Sequence, residues 1–336
     1  MPEAAETITP QELADVLARY DLGEVASARE VRRGSRQSPK VLVTTERGSF
    51  LLKRRAPGRD DPERVAFSHA IQIELASRRF PVPRLLGTRG DRNTMVELHE
   101  CVYELFEFSP GSGYDGSPEP TRDAGRALAF FHRLLGRFRS EWAPPRGTYH
   151  TPGVTAETFA MAATFAPHAA GLRDRYLEAA DLTRVCSGWP EQIIHADWHP
   201  GNMLFDAGRV SAVLDLDAAR LAPRAIDLAN ALLQFGMSKG TGGDWPPSLD
   251  EDRLLSLAGG YESVEGCTIS SAELAAIPCL MIQALIAEAV IPIAQTGRFG
   301  DRDPGPISLG VLRASEFIRS SRERLTDRLA SVAPAP

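Results

Sequence analysis

The chain has 336 residues, of which 43% are hydrophobic and 24% charged, and its net charge is −6. That length allows two domains or two lobes with separate cores, and the composition excludes a disordered or fibrous chain. The acid excess argues against the broad basic face that nucleic-acid binding requires, so no nucleic-acid partner is expected.

Cys101, Cys186, Cys267 and Cys279 lie far apart without C-x-x-C spacing, which fits reduced thiols better than a disulfide frame or a zinc knuckle. The stretch "MPEAAETITP" is acidic and has no apolar signal region, so a cytoplasmic location is expected. Residues 274–294 are nearly long enough to span a bilayer, but they contain Gln283, Glu288 and two prolines and lack flanking basic clusters. They read as a buried helix, with no membrane partner.

In chain order, Thr9-Pro10-Gln11-Glu12 is a capping box with proline at the first helical position, and it starts a short helix. Residues 26–55 turn β-rich: "VLVTTERGSFLLKRR" predicts two strands around Glu46-Arg47-Gly48, preceded by the polar loop "RRGSRQSPK". "DPERVAFSHAIQIELASRRF" carries Val65, Phe67, Ile71 and Leu75 at helical spacing and stops before Pro81-Val82-Pro83. "NTMVEL" and "VYELFEF" predict two further strands. Past residue 118 the text is mostly helical, with helices over "TRDAGRALAFFHRLLGRF", "TAETFAMAATFAPHAAGLRDRYLEAA", 250–261, 270–296 and 310–331. A β-rich first part followed by a larger helical part is an α+β, two-lobed layout, with its boundary between Phe108 and Pro118.

The stretch "IIHADWHPGN" places His195, Asp197 and His199 at alternate positions, the minimum set for a catalytic zinc. No second His-x-His cluster accompanies it, and Pro200-Gly201 turns the chain at once. The text after it fits another chemistry better. Asn202 follows, then two short strands around Asp-Ala-Gly, the second ending in Asp215, so that a hairpin returns Asp215 beside the loop. Two carboxylates and an amide suit phosphoryl transfer: Asp197 to orient an acceptor hydroxyl and take its proton, Asn202 and Asp215 to hold magnesium on nucleotide phosphates.

"HADWHPGNMLFD" followed by "VLDLDAA" closely resembles the catalytic loop and metal-binding strand of the aminoglycoside phosphotransferase, choline kinase and type II homoserine kinase superfamily. The resemblance covers most of the chain. It implies a protein-kinase-like fold, with a small antiparallel-sheet lobe over 1–108 that binds nucleotide and a larger helical lobe over 109–336. Lys53 in "FLLKRR" would contact the α- and β-phosphates. The loop from Gly34 and Ser35 to Ser38 would cover the nucleotide, although it has a single glycine. "YELFEFSPG" resembles the hinge, where backbone groups near Glu107 and Ser109 would meet adenine, and "RAIDLANAL" resembles the next helix, with Asp227 as a bracer. One departure stands out: the position at which many relatives carry the lysine-pairing glutamate is His69, so either Glu74, or else Glu63, pairs with Lys53 through a shifted helix, or the pair is replaced; Glu74 is the expected partner.

The resemblance therefore implies a kinase that uses ATP or GTP with Mg2+ to phosphorylate a hydroxyl of a small molecule: an aminoglycoside-like antibiotic, an amino alcohol, or a homoserine-like or sugar-like metabolite. A protein kinase is the near alternative, but "LDAARLAPRAIDLANAL" leaves little room for a long activation segment. A nucleotide-binding regulator without turnover and a zinc hydrolase are the others. His195 and His199 read as loop braces, His132 as a satisfied core histidine, and Asp217 as a polar residue facing solvent. Glu288 is either capped by arginine or lysine or lines a polar-substrate cavity, and "GTGGDWPPSLDEDR" adds a faint acidic hint.

Overall fold

A computed structural model describes residues 6–31, 37–237 and 249–332. The chain divides into two compact units, one comprising Met1–Ser112, Arg139–Pro144 and Ser211–Asp217, the other Gly113–Phe138, Pro145–Val210 and Ala218–Pro336.

The first unit opens with α1 (Pro10–Leu17), whose Thr9–Glu12 capping box forms as the sequence predicts. Strands β1 (Val25–Glu30), β2 (Lys40–Thr45) and β3 (Gly48–Arg54) follow, then α2 (Pro62–Ser77), β4 (Met95–Leu98) and β5 (Cys101–Glu107). Among the described residues they form a five-stranded antiparallel sheet in the order β1-β2-β3-β5-β4. Period-2 alternation sends Phe50, Leu52, Tyr103 and Leu105 into one core with Val16, Tyr20 and Leu22 around α1. The opposite face receives Lys53 and, directly across from it in register, Glu104. The helix α2 stops four residues before Pro81, where Arg79 adopts a left-handed φ of 58°. Val213 donates its backbone N–H to the Pro81 carbonyl at 2.7 Å, which ties the segment carrying Asp215 and Asp217 into this unit.

The second unit contains α3 (Pro118–Leu135), α4 (Ala156–Ala163), α5 (Ala169–Leu182) and the short strand β6 (Glu191–Ile194). Strands β7 (Met203–Asp206) and β8 (Arg209–Val213) form the hairpin expected around Asp-Ala-Gly, although β8 ends at Val213 rather than at Asp215. Then come β9 (Arg220–Pro223), α6 (Arg224–Gly236), α7 (Glu251–Glu262), α8 (Ser271–Thr296), α9 (Pro304–Ser320) and α10 (Arg322–Ala330). The helix α8 is long and apolar enough to cross a membrane, yet 83% of its most apolar window is buried, and α4, α5, α6, α9 and α10 pack around it. Its interior Gln283 is satisfied by Thr183 Oγ1 at 2.8 Å and His150 Nδ1 at 3.1 Å.

Helices α3 and α7 approach so closely that only glycine fits at the crossing. A Cβ on Gly125 would sit 1.9 Å from the Leu257 carbonyl oxygen, and one on Gly260 would sit 1.9 Å from that of Arg122. Both clashes are with backbone, which cannot swing aside. Either Gly125→Ala or Gly260→Ala is expected to lower the melting temperature by about 3–10 °C, from an overpacking cost of roughly 1–3 kcal/mol. Gly171→Ala in α5, whose added carbon meets Leu312 at 3.4 Å, serves as the control and should leave the melting temperature unchanged or raised. Thermal melts of the three variants check this.

Candidate active site

In the helical unit, β6 and β9 pair antiparallel from Glu191↔Pro223 to Ile194↔Arg220. The chain leaving β6 therefore runs beside the chain entering α6. Asp227, fully buried in the first turn of α6, accepts hydrogen bonds from the backbone N–H groups of His195 at 2.8 Å and Ala196 at 2.9 Å. Its Oδ2 also lies 3.1 Å from His132 Nε2, while His132 Nδ1 lies 2.9 Å from the Tyr261 hydroxyl. Asp227 is thus the bracer, and His132 the satisfied core histidine, that the sequence predicts. Ala196 is held at a left-handed φ of 63°, a conformation that costs an L residue about 1–2 kcal/mol. The two Asp227 hydrogen bonds offset that cost and bend the chain just ahead of Asp197.

Beyond the bend, the Asn202 side-chain amide donates to Asp197 Oδ2 at 2.8 Å and to the Asp197 carbonyl at 3.1 Å. His195, completely buried, accepts the Asp197 backbone N–H on Nδ1 at 3.3 Å, and His199 accepts the Gly201 N–H on Nδ1 at 3.0 Å. Both histidines brace the loop, and each spends a ring lone pair on backbone, which counts against the zinc reading. Among the described residues, no group of three or more His, Cys, Asp or Glu is placed to hold a metal ion. Burial works to raise the Asp197 carboxyl, but the hydrogen bond and charge of His199, the charge of His195 and the Asn202 amide outweigh it. The group is held below its ordinary range and is a carboxylate at neutral pH.

In the sheet-containing unit, Lys53 Nζ donates to Asp217 Oδ2 at 2.9 Å and lies 3.7 Å from Asp215 Oδ1 and 3.9 Å from Glu104 Oε2. Arg55 reaches Glu104 Oε1 at 2.7 Å and Asp217 Oδ1 at 2.8 Å. Burial disfavours the Lys53 ammonium, but Asp217, Glu104 and Asp215 more than compensate, so Lys53 stays charged. Asp215 itself takes a left-handed φ of 60° just past β8.

Glu74 does not pair with Lys53: it forms an exposed i,i+4 ion pair with Arg78 at 2.9 Å, and Glu63 is exposed. The buried side of α2 carries Ser68, His69 and Gln72, so the carboxylate near Lys53 comes from Glu104 on β5, a residue that sequence reasoning passed over. Nor does Asp217 face solvent. Its side chain is 13% exposed between Lys53 and Arg55, which hold its carboxyl below the ordinary range against the effect of burial.

Gly34 and Ser35, expected over the nucleotide, lie outside the described residues. At the expected hinge the Glu107 N–H is committed to the Arg84 carbonyl at 2.8 Å and the Phe108 N–H to Ser49 at 2.9 Å. Half-buried Ser109 follows them.

Residues 27–267 match the phosphotransferase enzyme family. The chain belongs to that family. The phosphotransferase is 30% identical over 287 residues to a homoserine kinase of Sinorhizobium fredii, a match that covers 81% of this chain and 80% of the relative. Its fold is similar to that of amicoumacin kinase hAmiN, solved in complex with AMP-PNP, Ca2+ and Ami, at a TM-score of 0.67 and 13% identity over 97% of this chain and 96% of that one. It is also similar to the fold of a microcompartment-associated aminopropanol kinase, at a TM-score of 0.64 and 17% identity over 96% and 98% of the two chains. The α+β, protein-kinase-like fold and the activity class are those expected: the protein is a small-molecule phosphotransferase with an alcohol group as acceptor.

In α8 of the phosphotransferase, Glu288 accepts a hydrogen bond at 2.6 Å from the Gln234 amide of α6. That partner is neutral, so among the described residues the arginine or lysine cap left open by the sequence is not found; of the acidic tract near 240–253, residues 240–248 lie outside the described residues, while Asp250 caps α7 and Glu251 pairs with Arg324 and Arg328. Burial raises the Glu288 carboxyl above its ordinary range, the Gln234 hydrogen bond and the charge of His199 oppose this, and the charge of Asp197 adds to it. A carboxyl raised on folding holds its proton more tightly in the folded chain. Its stabilisation is therefore present below the ordinary carboxylate range and is lost as pH rises through the raised value. Glu288→Gln, neutral throughout, is expected to melt above the native chain at about pH 8, with the gap closing near about pH 4. Melting curves across that range check the sign.

Proposed function

We propose that this phosphotransferase transfers the γ-phosphate of ATP or GTP, with Mg2+, to the hydroxyl of a small amino-bearing acceptor of the homoserine or amino-alcohol kind. The observation that carries the reading is Asp197: an ionised carboxylate on a loop pinned by Asp227, with one oxygen held by Asn202. Held in that way, it is suited to orient an acceptor hydroxyl and take its proton.

The other roles follow from donor chemistry. Because Asn202 gives its amide nitrogen to Asp197, it presents an oxygen; that oxygen and the 42% exposed Asp215 carboxylate are hard ligands suited to magnesium. The bound ion would neutralise charge on the phosphates. Lys53, kept charged, is suited to contact them, and the edge near Glu107 and Ser109 to meet the base. Between Asp215 and α6 the chain forms only a single turn, Leu216–Ala218, and β9, which is short for a peptide-holding segment and favours a small acceptor. The amino group in the proposal is supported by the kinship with homoserine kinases and by Glu288, a carboxylate near enough to feel the charge of Asp197.

The test is nucleotide consumption over a panel of homoserine, short amino alcohols, sugars and aminoglycosides. Amino-bearing small acceptors should be turned over, and neutral sugars should not. With the best acceptor, Asp197→Ala should lower kcat by about 10²–10⁴-fold with little change in nucleotide affinity, whereas Asp215→Ala should weaken metal-nucleotide binding as well. Turnover near that of the native chain in Asp197→Ala would remove Asp197 from its role.

A further inference from the structure

We propose that Glu104 is the positioning residue for Lys53 in the nucleotide-bound enzyme: when a nucleoside polyphosphate draws the ammonium away from Asp217, Glu104 Oε2 receives it. This rests on the reading of Lys53 as the phosphate-contacting lysine. The starting observation is an imbalance within one carboxylate. Oε1 of Glu104 is heavily used, with His69 Nε2 at 2.5 Å and Arg55 at 2.7 Å. Oε2 is buried and has no hydrogen-bond donor among the described residues, and Lys53 Nζ lies 3.9 Å from it. A buried carboxylate oxygen without a donor is costly unless another state of the site fills it.

The surroundings say which state that is. Glu104 is held in place: it is 1% exposed, sits in the middle of β5 in register with Lys53, and is clamped by Arg55 and by His69, whose own Nδ1 is tied to Thr94 Oγ1 at 2.7 Å. Asp217 can yield, because it keeps Arg55 at 2.8 Å after Lys53 departs. A polyphosphate competes with Asp217 for the ammonium, both being anionic, and a shift of about 1 Å brings Lys53 into hydrogen-bond range of Oε2. His69 holds the carboxylate from the helix position where the resemblance places a glutamate. The support for the lysine has thus moved from the helix to the neighbouring strand.

The experiment measures KM for nucleotide and for acceptor, together with melting temperature, in Lys53→Met, Glu104→Gln, Glu104→Asp and the double variant His69→Glu/Glu104→Gln. Glu104→Gln should raise nucleotide KM about tenfold or more while leaving acceptor KM within about threefold. Glu104→Asp keeps the charge that Arg55 needs and retracts it by one methylene, so it should raise nucleotide KM in a chain that melts normally. The double variant returns a carboxylate from the helix side and should recover most of the loss. Unchanged nucleotide KM in folded Glu104→Gln and Glu104→Asp, with a raised value in Lys53→Met, would overturn the proposal and leave the role of Lys53 intact. So would a double variant as impaired as the single one, or losses in both KM values that track melting temperature. If Lys53→Met itself leaves nucleotide KM unchanged, the reading of Lys53 fails, and the proposal with it.

Discussion

The site in the helical unit depends on one buried carboxylate. Asp227 places two polar oxygens where solvent cannot reach them, and such a group is tolerated only when its oxygens are filled. Two backbone amides and the His132 ring fill them. The same bonds hold Ala196 in a conformation it would not choose, and the loop that follows inherits its direction from that bend. Asp197, Asn202 and the two bracing histidines are then ordered by short-range contacts within the loop itself. Rigid placement of a carboxylate is what an acceptor-orienting group needs, since small misplacements cost large factors in rate.

The sheet-containing unit solves a different problem, that of keeping cations buried before any polyanion arrives. Lys53 and Arg55 share Glu104 and Asp217, and Asp215 lies at the edge of the group. Lys53, Arg55, Glu104 and Asp217 are stabilised by opposite charge more than by water, and Arg55, which pairs with both carboxylates, keeps them partnered when Lys53 moves. An incoming polyphosphate therefore exchanges partners within a network already organised for anions. On the proposed reading, one carboxylate stays fixed and another gives way.

Much of this was legible in the sequence. The capping box at Thr9, the hairpin around Glu46-Arg47, helix α2 and the buried character of α8 follow from local patterns, and the bracing role of Asp227 from the resemblance. What stayed hidden depends on non-local register. The pairing of β6 with β9 joins "EQII" to "RLAP", two four-residue segments without alternation and with a proline at one end, yet it brings Asp227 to the loop. Glu104 stands between Tyr103 and Leu105, and alternation alone puts it on the opposite face from them; only the β3–β5 register puts it across from Lys53. Glu74 was expected on the right helix but on the wrong side of it, and Asp217 was read as solvated because nothing in "LDLDAA" announces two cations.

The measurement that bears most directly on the account is calorimetric titration of AMP-PNP into the native chain, with and without a divalent cation, because it needs no knowledge of the acceptor. One nucleotide should bind per chain, with binding that depends on the cation. Absence of binding, or equal affinity after the cation is chelated, would contradict it.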